Sequence, residues 1–177
     1  MDVFEGRPVN PEGRLEKEVE AYDLLDKLGI AYQRADHEPA ATMKVCKEID
    51  AVLGLMICKN LFLCNRQKTK FYLLLMPADK PFRTKELSAQ IGSSRLSFGG
   101  PEDMERLLNV TPGSVSILGL MYDREHQVEL LIDSDVLKER YFGCHPCINT
   151  SSVKMSTSDF TRRLLPALHH ESMIVHL

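Results

Sequence analysis

A chain of 177 residues is long enough for one well-buried domain and too short for two ordinary ones. With 44% hydrophobic and 27% charged residues it has the balance of a soluble globular protein, and no apolar run is long enough for a transmembrane helix. The net charge of −3 argues against a general nucleic-acid coat, yet residues 66–95 hold seven Lys and Arg against Asp79 and Glu86, a +5 segment on a −8 remainder.

The amino terminus, Met1-Asp2-Val3-Phe4-Glu5-Gly6, has neither the basic region nor the apolar core of a signal peptide. Five cysteines, an odd number, point to a reduced, intracellular and cytoplasmic protein. Residues 1–14 read as an irregular lead-in. Leu15, Val19, Tyr22, Leu25 and Leu28 then recur at helical spacing and stop at Gly29. A short strand from Ile30 to Arg34 leads into a turn at Asp36-His37-Glu38-Pro39, and Thr42 is placed to cap a second helix closed by Gly54.

Ile57 to Cys64 reads as a buried strand, turned by Asn65-Arg66-Gln67-Lys68 into an antiparallel partner from Lys70 to Pro77. Short elements follow: a helix from Lys85 to Ile91, a strand from Arg95 to Phe98 and a helix opened by Pro101 with acids in its first turn. Ser114–Leu120 and Val128–Ile132 are expected as two further strands joined across Asp123-Arg124-Glu125-His126, with a helical turn near Asp133–Lys138. Tyr141 to Thr150 is too punctuated for an ordinary strand. Ser158 is expected to cap a last helix reaching about Leu168, and 171–177 is left as a frayed tail. The expected fold is one α/β domain over 15–170 with a mixed, largely antiparallel sheet.

Within the central strand, Lys59 and Asn60 interrupt an apolar run. A lysine there either ends the strand in solvent or faces a polar cavity, because an unpaired buried ammonium is costly. The +5 segment, including Lys68 and Lys70, is either a solvated hairpin or a surface for an RNA backbone. Cys144-His145-Pro146-Cys147 invites a redox or zinc reading, but a zinc ribbon needs a second pair that Cys46, Cys58 and Cys64 do not provide. A redox dithiol should open a helix, and Ile148-Asn149-Thr150 is not helical. Nucleotide-loop and serine-hydrolase signatures are absent. His37 and His145 adjoin proline-bearing turns that can aim a ring at a cavity or simply hold structure.

Asp36-His37-Glu38-Pro39 with Thr42, Lys59-Asn60-Leu61-Phe62-Leu63, Arg95-Leu96-Ser97-Phe98, Val110-Thr111-Pro112-Gly113-Ser114-Val115-Ser116, Gly119-Leu120 and His145-Pro146 with Asn149-Thr150 stand in an order that resembles the YbaK / prolyl-tRNA editing-domain family. The resemblance covers about residues 15–170 and implies a compact α/β fold with a barrel-like mixed sheet and flanking helices. It also implies hydrolysis of the aminoacyl ester of mischarged tRNA, foremost Ala-tRNA(Pro), with no cofactor or metal, and prolyl-tRNA synthetase as an associated protein. On that resemblance Lys59, Asn60, Gly119 and His145 carry the catalytic roles, with backbone N–H groups near Gly119 available to an oxyanion. His37, Thr42, Ser116, Ile117, Leu118, Cys147 and Asn149 bind substrate, and Lys68 and Lys70 contact tRNA. Two departures bear on the pocket: Ile117-Leu118 replace the family's proline and aromatic residue, and Cys147 replaces a leucine. A deacylase for cysteine or serine, a non-catalytic tRNA- or synthetase-binding module of the same fold and a dithiol protein with a low-pKa thiol stand as alternatives.

Overall fold

A computed structural model describes all residues, 1–177. Its nine strands form two open sheets. The four-stranded sheet has the order β1 (Val3–Glu5), β2 (Tyr32–Asp36), β8 (Ser151–Ser156), β7 (Tyr141–Cys144), antiparallel throughout. The five-stranded sheet runs β5 (Ser97–Phe98), β3 (Lys59–Cys64), β4 (Phe71–Met76), β6 (Val128–Asp133), β9 (Ser172–Val175). Its first pairings are antiparallel, whereas β4–β6 and β6–β9 are parallel. The mixed character matches expectation; the barrel does not, since neither sheet closes and the strands divide into two layers.

Helix α1 (Glu16–Lys27) buries Ala21, Tyr22 and Leu25 against the main core. Helix α2 (Met43–Leu53) begins where Thr42 accepts a hydrogen bond from the Val45 N–H (3.3 Å) and ends at Gly54 in the left-handed region. Helices α3 (Thr84–Ile91), α4 (Pro101–Leu108) and α5 (Ser134–Lys138) follow in the expected places. The last helix, α6 (residues 157–167), is capped by Ser156, not Ser158, and widens to a π-type turn over Phe160–Leu164. Pro166 has no N–H for the preceding turn and its ring crowds it, which the wider turn accommodates.

The main core lies between the sheets. Phe62, Leu73, Leu75, Leu130 and Ile132 from one meet Tyr32, Phe142, Val153 and Met155 from the other, and Phe160 stacks on Phe142 at 3.8 Å between centroids. Full burial of each such side chain contributes roughly 1.5–3 kcal/mol. A smaller cluster, including Leu63, Leu74 and Leu131, covers the opposite face of the five-stranded sheet under α3. Ala35, Ile49 and Leu53 seat α2 on the four-stranded sheet.

Further expectations are corrected, and Tyr141–Cys144, within a stretch expected to be too punctuated for a strand, is β7. Residues 114–120 form no strand: Ile117–Tyr122 is a 3-10 helix, and β6 has its edges taken by β4 and β9. The apolar run is buried because it packs on α4, not because it joins a ladder. Val3–Glu5 is a strand inside the expected lead-in. The expected frayed tail contains β9, whose neighbour His176 exchanges hydrogen bonds with Gln90 at 2.6 and 2.8 Å.

Candidate active site

Because strand side chains alternate, Lys59 and Asn60 at the start of β3 serve opposite faces. Asn60 faces the inter-sheet core with Phe62 and Cys64. Its Oδ1 accepts the Ile117 N–H (3.1 Å), and its Nδ2 donates to the Cys58 carbonyl (3.2 Å). Lys59 is half-buried, and its ammonium donates to the Lys80 carbonyl, not to a carboxylate. The Lys80 side chain is in turn held by Asp133 and Asp135 at 2.8 Å each and by the Leu177 carbonyl at 2.5 Å. The hydrogen bonds it donates to Asp133 and then Asp135 raise the Lys80 pKa.

The 3-10 helix is fixed from three sides. Ser116 Oγ accepts the Leu118 N–H (3.2 Å) and donates to the His145 carbonyl (2.6 Å), while the Gly119 N–H is bonded to the Ser116 carbonyl (3.0 Å). With Ile117 held by Asn60, the amides of 117–119 are all engaged within the protein, so the oxyanion donors expected near Gly119 are not open. Gly119 serves packing: a Cβ there would stand 2.8 Å from the Leu108 carbonyl oxygen.

His145 follows β7. Its Nδ1 lies 2.9 Å from the Ser151 carbonyl, so that nitrogen carries the proton. Burial lowers its pKa; the bond to Ser151 opposes this, and the neighbouring His37 adds to the lowering. His37 reaches the same neighbourhood from the turn after β2, its ring centroid 6.2 Å from that of His145.

A cavity of about 500 Å³ opens between α2, the segment leading into β3, the end of β7 and the 113–115 loop. Lys59, Asn60 and His145 line it together, with apolar walls from Met43, Ile49, Met56, Ile57, Val115 and Cys144. The other expected site residues lie elsewhere. Ser116, Ile117, Leu118 and Gly119 are buried behind this wall, and Thr42 is the cap of α2. Cys147 and Asn149 face a separate polar cleft beside Arg14 and Asp36. Lys68 and Lys70 lie beyond the far end of β3, roughly 20 Å from its start by strand geometry. Sequence reasoning missed the walls contributed by α2 and Met56–Cys58. Their only signal was methionines placed outside a helical apolar stripe.

The paired cysteines do not form a reactive thiol site. Cys144 and Cys147 are free and fully buried. Burial pushes both thiols up, Cys147 to about 12, so the nucleophilic thiolate is suppressed.

Residues 37–162 match the aminoacyl-tRNA editing domain. Among curated proteins, the prolyl-tRNA editing protein ProX of Acetoanaerobium sticklandii is 31% identical over 138 residues, covering 78% of this chain and 84% of that protein. The prolyl-tRNA synthetase associated domain-containing protein 1 of Danio rerio is 27% identical over 157 residues, covering 88% and 84%. A solved structure described as a candidate trans-editing enzyme for prolyl-tRNA synthetase superposes with a TM-score of 0.67 at 14% identity, covering 92% of this chain and 98% of that one. No helix is long and apolar enough to cross a membrane. The family match spans the turn that bears His37, the strand that opens with Lys59-Asn60 and the loop that carries His145, and on it the chain belongs to the aminoacyl-tRNA editing domain family, a family of aminoacyl-tRNA hydrolases.

Proposed function

We propose that this chain is a trans-editing deacylase whose substrate is Ala-tRNA(Pro). The observation that carries the reading is the convergence of Lys59, Asn60 and His145 on one largely apolar cavity of about 500 Å³, within the range of small-molecule sites. The terminal adenosine ester enters there. The Lys59 ammonium exchanges its bond to the Lys80 carbonyl for the terminal phosphate or the ester carbonyl, whose oxygen gains charge as water attacks. With the amides of 117–119 engaged, that charge falls chiefly to Lys59. The 2′-hydroxyl of the ribose helps orient the water. Lys59 is no nucleophile: its attack would leave a stable amide.

Discrimination by size makes the reaction useful. A synthetase pocket shaped for proline rejects alanine by only about 1–3 kcal/mol, since only methylenes are missing. A second site with apolar walls such as Ile57 and Val115 can accept alanine and exclude the larger ring. Prolyl-tRNA synthetase is the partner this reading implies.

The test is deacylation of Ala-, Cys-, Ser- and Pro-tRNA by the purified protein. Selective cleavage of Ala-tRNA(Pro) supports the proposal, and Val115→Ala should then admit Pro-tRNA. Preference for Cys- or Ser-tRNA would replace the substrate, and tight tRNA binding without turnover would make the chain a binding module.

A further inference from the structure

Ser152 lies in β8, opposite Ala35, and is fully buried. Its hydroxyl stands between two imidazoles, 2.8 Å from His37 Nε2 and 3.3 Å from His145 Nδ1. The bonds at the outer ends give this chain a direction. His37 Nδ1 is 2.8 Å from the Glu38 carbonyl, which only accepts, so Nδ1 carries the proton and in the neutral ring Nε2 accepts. The Ser152 O–H therefore donates to His37, leaving its oxygen lone pairs toward His145. His145 Nδ1–H is shared between that oxygen and the Ser151 carbonyl at 2.9 Å. His145 Nε2 is then unprotonated, has no hydrogen-bond partner in the protein and belongs to a residue that lines the cavity.

We infer that Ser152, oriented by His37, is a positioning residue that joins the Ser151 carbonyl in holding His145 as the Nδ1–H tautomer and so presents Nε2 as the base for the attacking water. This deepens the deacylase reading and rests on it. As the water oxygen bonds to the ester carbon, Nε2 takes its proton. As the carbon–ribose oxygen bond breaks, the imidazolium Nε2–H returns that proton to the leaving ribose oxygen. The products are the free amino acid and the tRNA hydroxyl, with the ring restored. Burial favours the neutral ring the step requires. The ionisable groups facing His145 are His37 from the β2–α2 turn, Cys58 and Cys144 beside it, and Lys47, Asp50, Lys59 and Asp79 around the cavity. Both thiols are pushed up by burial, Cys58 to about 12, and so stay neutral where His145 titrates.

Two measurements on the full chain test this. Nitrogen-15 NMR of the histidine rings should show His145 as the Nδ1–H tautomer near neutral pH; Ser152→Ala should keep that tautomer through the Ser151 carbonyl while shifting the Nδ1 resonance as one acceptor is lost. Single-turnover deacylation of Ala-tRNA(Pro) across pH should show a rate falling on the acid side as His145 protonates. Ser152→Ala should lower the plateau by at least about tenfold, part of the 10²–10⁴ a general base contributes. It should also move the acid limb to lower pH, because Nδ1–H loses one acceptor of its charge. Ser152→Thr keeps the hydroxyl and should restore both plateau and limb. A purely packing role would change the melting temperature alone. An Nε2–H tautomer in the native protein, or a Ser152→Ala variant with native rate and limb, would overturn the inference. A native protein inactive on every mischarged tRNA would refute the deacylase reading and the base role together, while the NMR would still decide the positioning of the ring.

Discussion

Replacing Lys59 by methionine removes the ammonium while keeping most of the apolar stem. In the free protein that ammonium has one partner, the Lys80 carbonyl, and the side chain is only half-buried. Water can take the place of the lost donor, so the stability cost should stay below about 1 kcal/mol, or under about 4 °C in melting temperature for a chain of this size. The rate should respond differently. Loss of one preorganised electrostatic contact to a developing oxyanion costs about 10²–10³, equivalent to about 2.7–4 kcal/mol of barrier. Here the neighbouring amides of 117–119 are already bonded within the protein and cannot compensate. Lys59→Arg keeps the charge, but a planar fork does not reproduce a compact ammonium seated on a carbonyl, so rescue should be partial. The assay is single-turnover deacylation of Ala-tRNA(Pro), with thermal melts as the folding control. Near-native rates for Lys59→Met would refute the electrostatic assignment. A large fall in melting temperature would instead place the residue in structure.

Gly119→Ala should destabilise the fold by roughly 1–3 kcal/mol, read as a lower melting temperature, because its Cβ would meet the Leu108 backbone at 2.8 Å; a native melt would show that the 3-10 helix shifts freely. Burial raises the Asp36 pKa, but hydrogen bonds from Arg14 and Arg34 outweigh this and bring it to about 2, against an ordinary 3.8. The stability that carboxylate contributes is therefore complete above pH 3.8 and lost as pH falls through about 2. Asp36→Asn should lower the urea midpoint at neutral pH and flatten its fall in acid, and an unchanged acid slope would count against the network. Lys44 and Lys47 lie on α2, whose residues wall the cavity, whereas Lys68 and Lys70 lie at the far end of β3. Lys44→Glu with Lys47→Glu should thus weaken tRNA binding and its salt dependence more than Lys68→Glu with Lys70→Glu; the opposite order would move the tRNA path to the hairpin.

Most elements were legible because their signals are local. Thr42 and Gly54 bound α2, Pro101 opens α4, and the apolar runs of β3 and β4 flank a polar turn. The failures came where local pattern and tertiary role diverge. Residues 115–120 carry a strand's composition, yet Asn60 and Ser116 take their amides and Gly119 seats them on α4. Ser151–Ser156 looks polar, yet every second residue faces the core and the strand fills the gap between β2 and β7. The site shows the same division. Lys59, Asn60 and His145 were named from the chain and meet at the cavity, while Ile117, Leu118 and Cys147, expected in its wall, are core.

Taken alone, the order of residues determined the family, the helices and hairpin, and the polar side chains at the start of β3 and after β7. Each depends on contacts within a few positions or on a motif that survives in linear form. Only the tertiary structure decided that the strands split into two open sheets, that β9 closes one edge, and that α2 and Met56–Cys58 wall the cavity. It also decided which nitrogen of His145 is bonded to the Ser151 carbonyl. Those features depend on pairings between residues far apart in sequence, such as Asn60 with Ile117 and His37 with Ser152. Neither partner of such a pair marks the other in the chain, and the hydrogen bond that fixes its role exists only once the fold brings the two segments together.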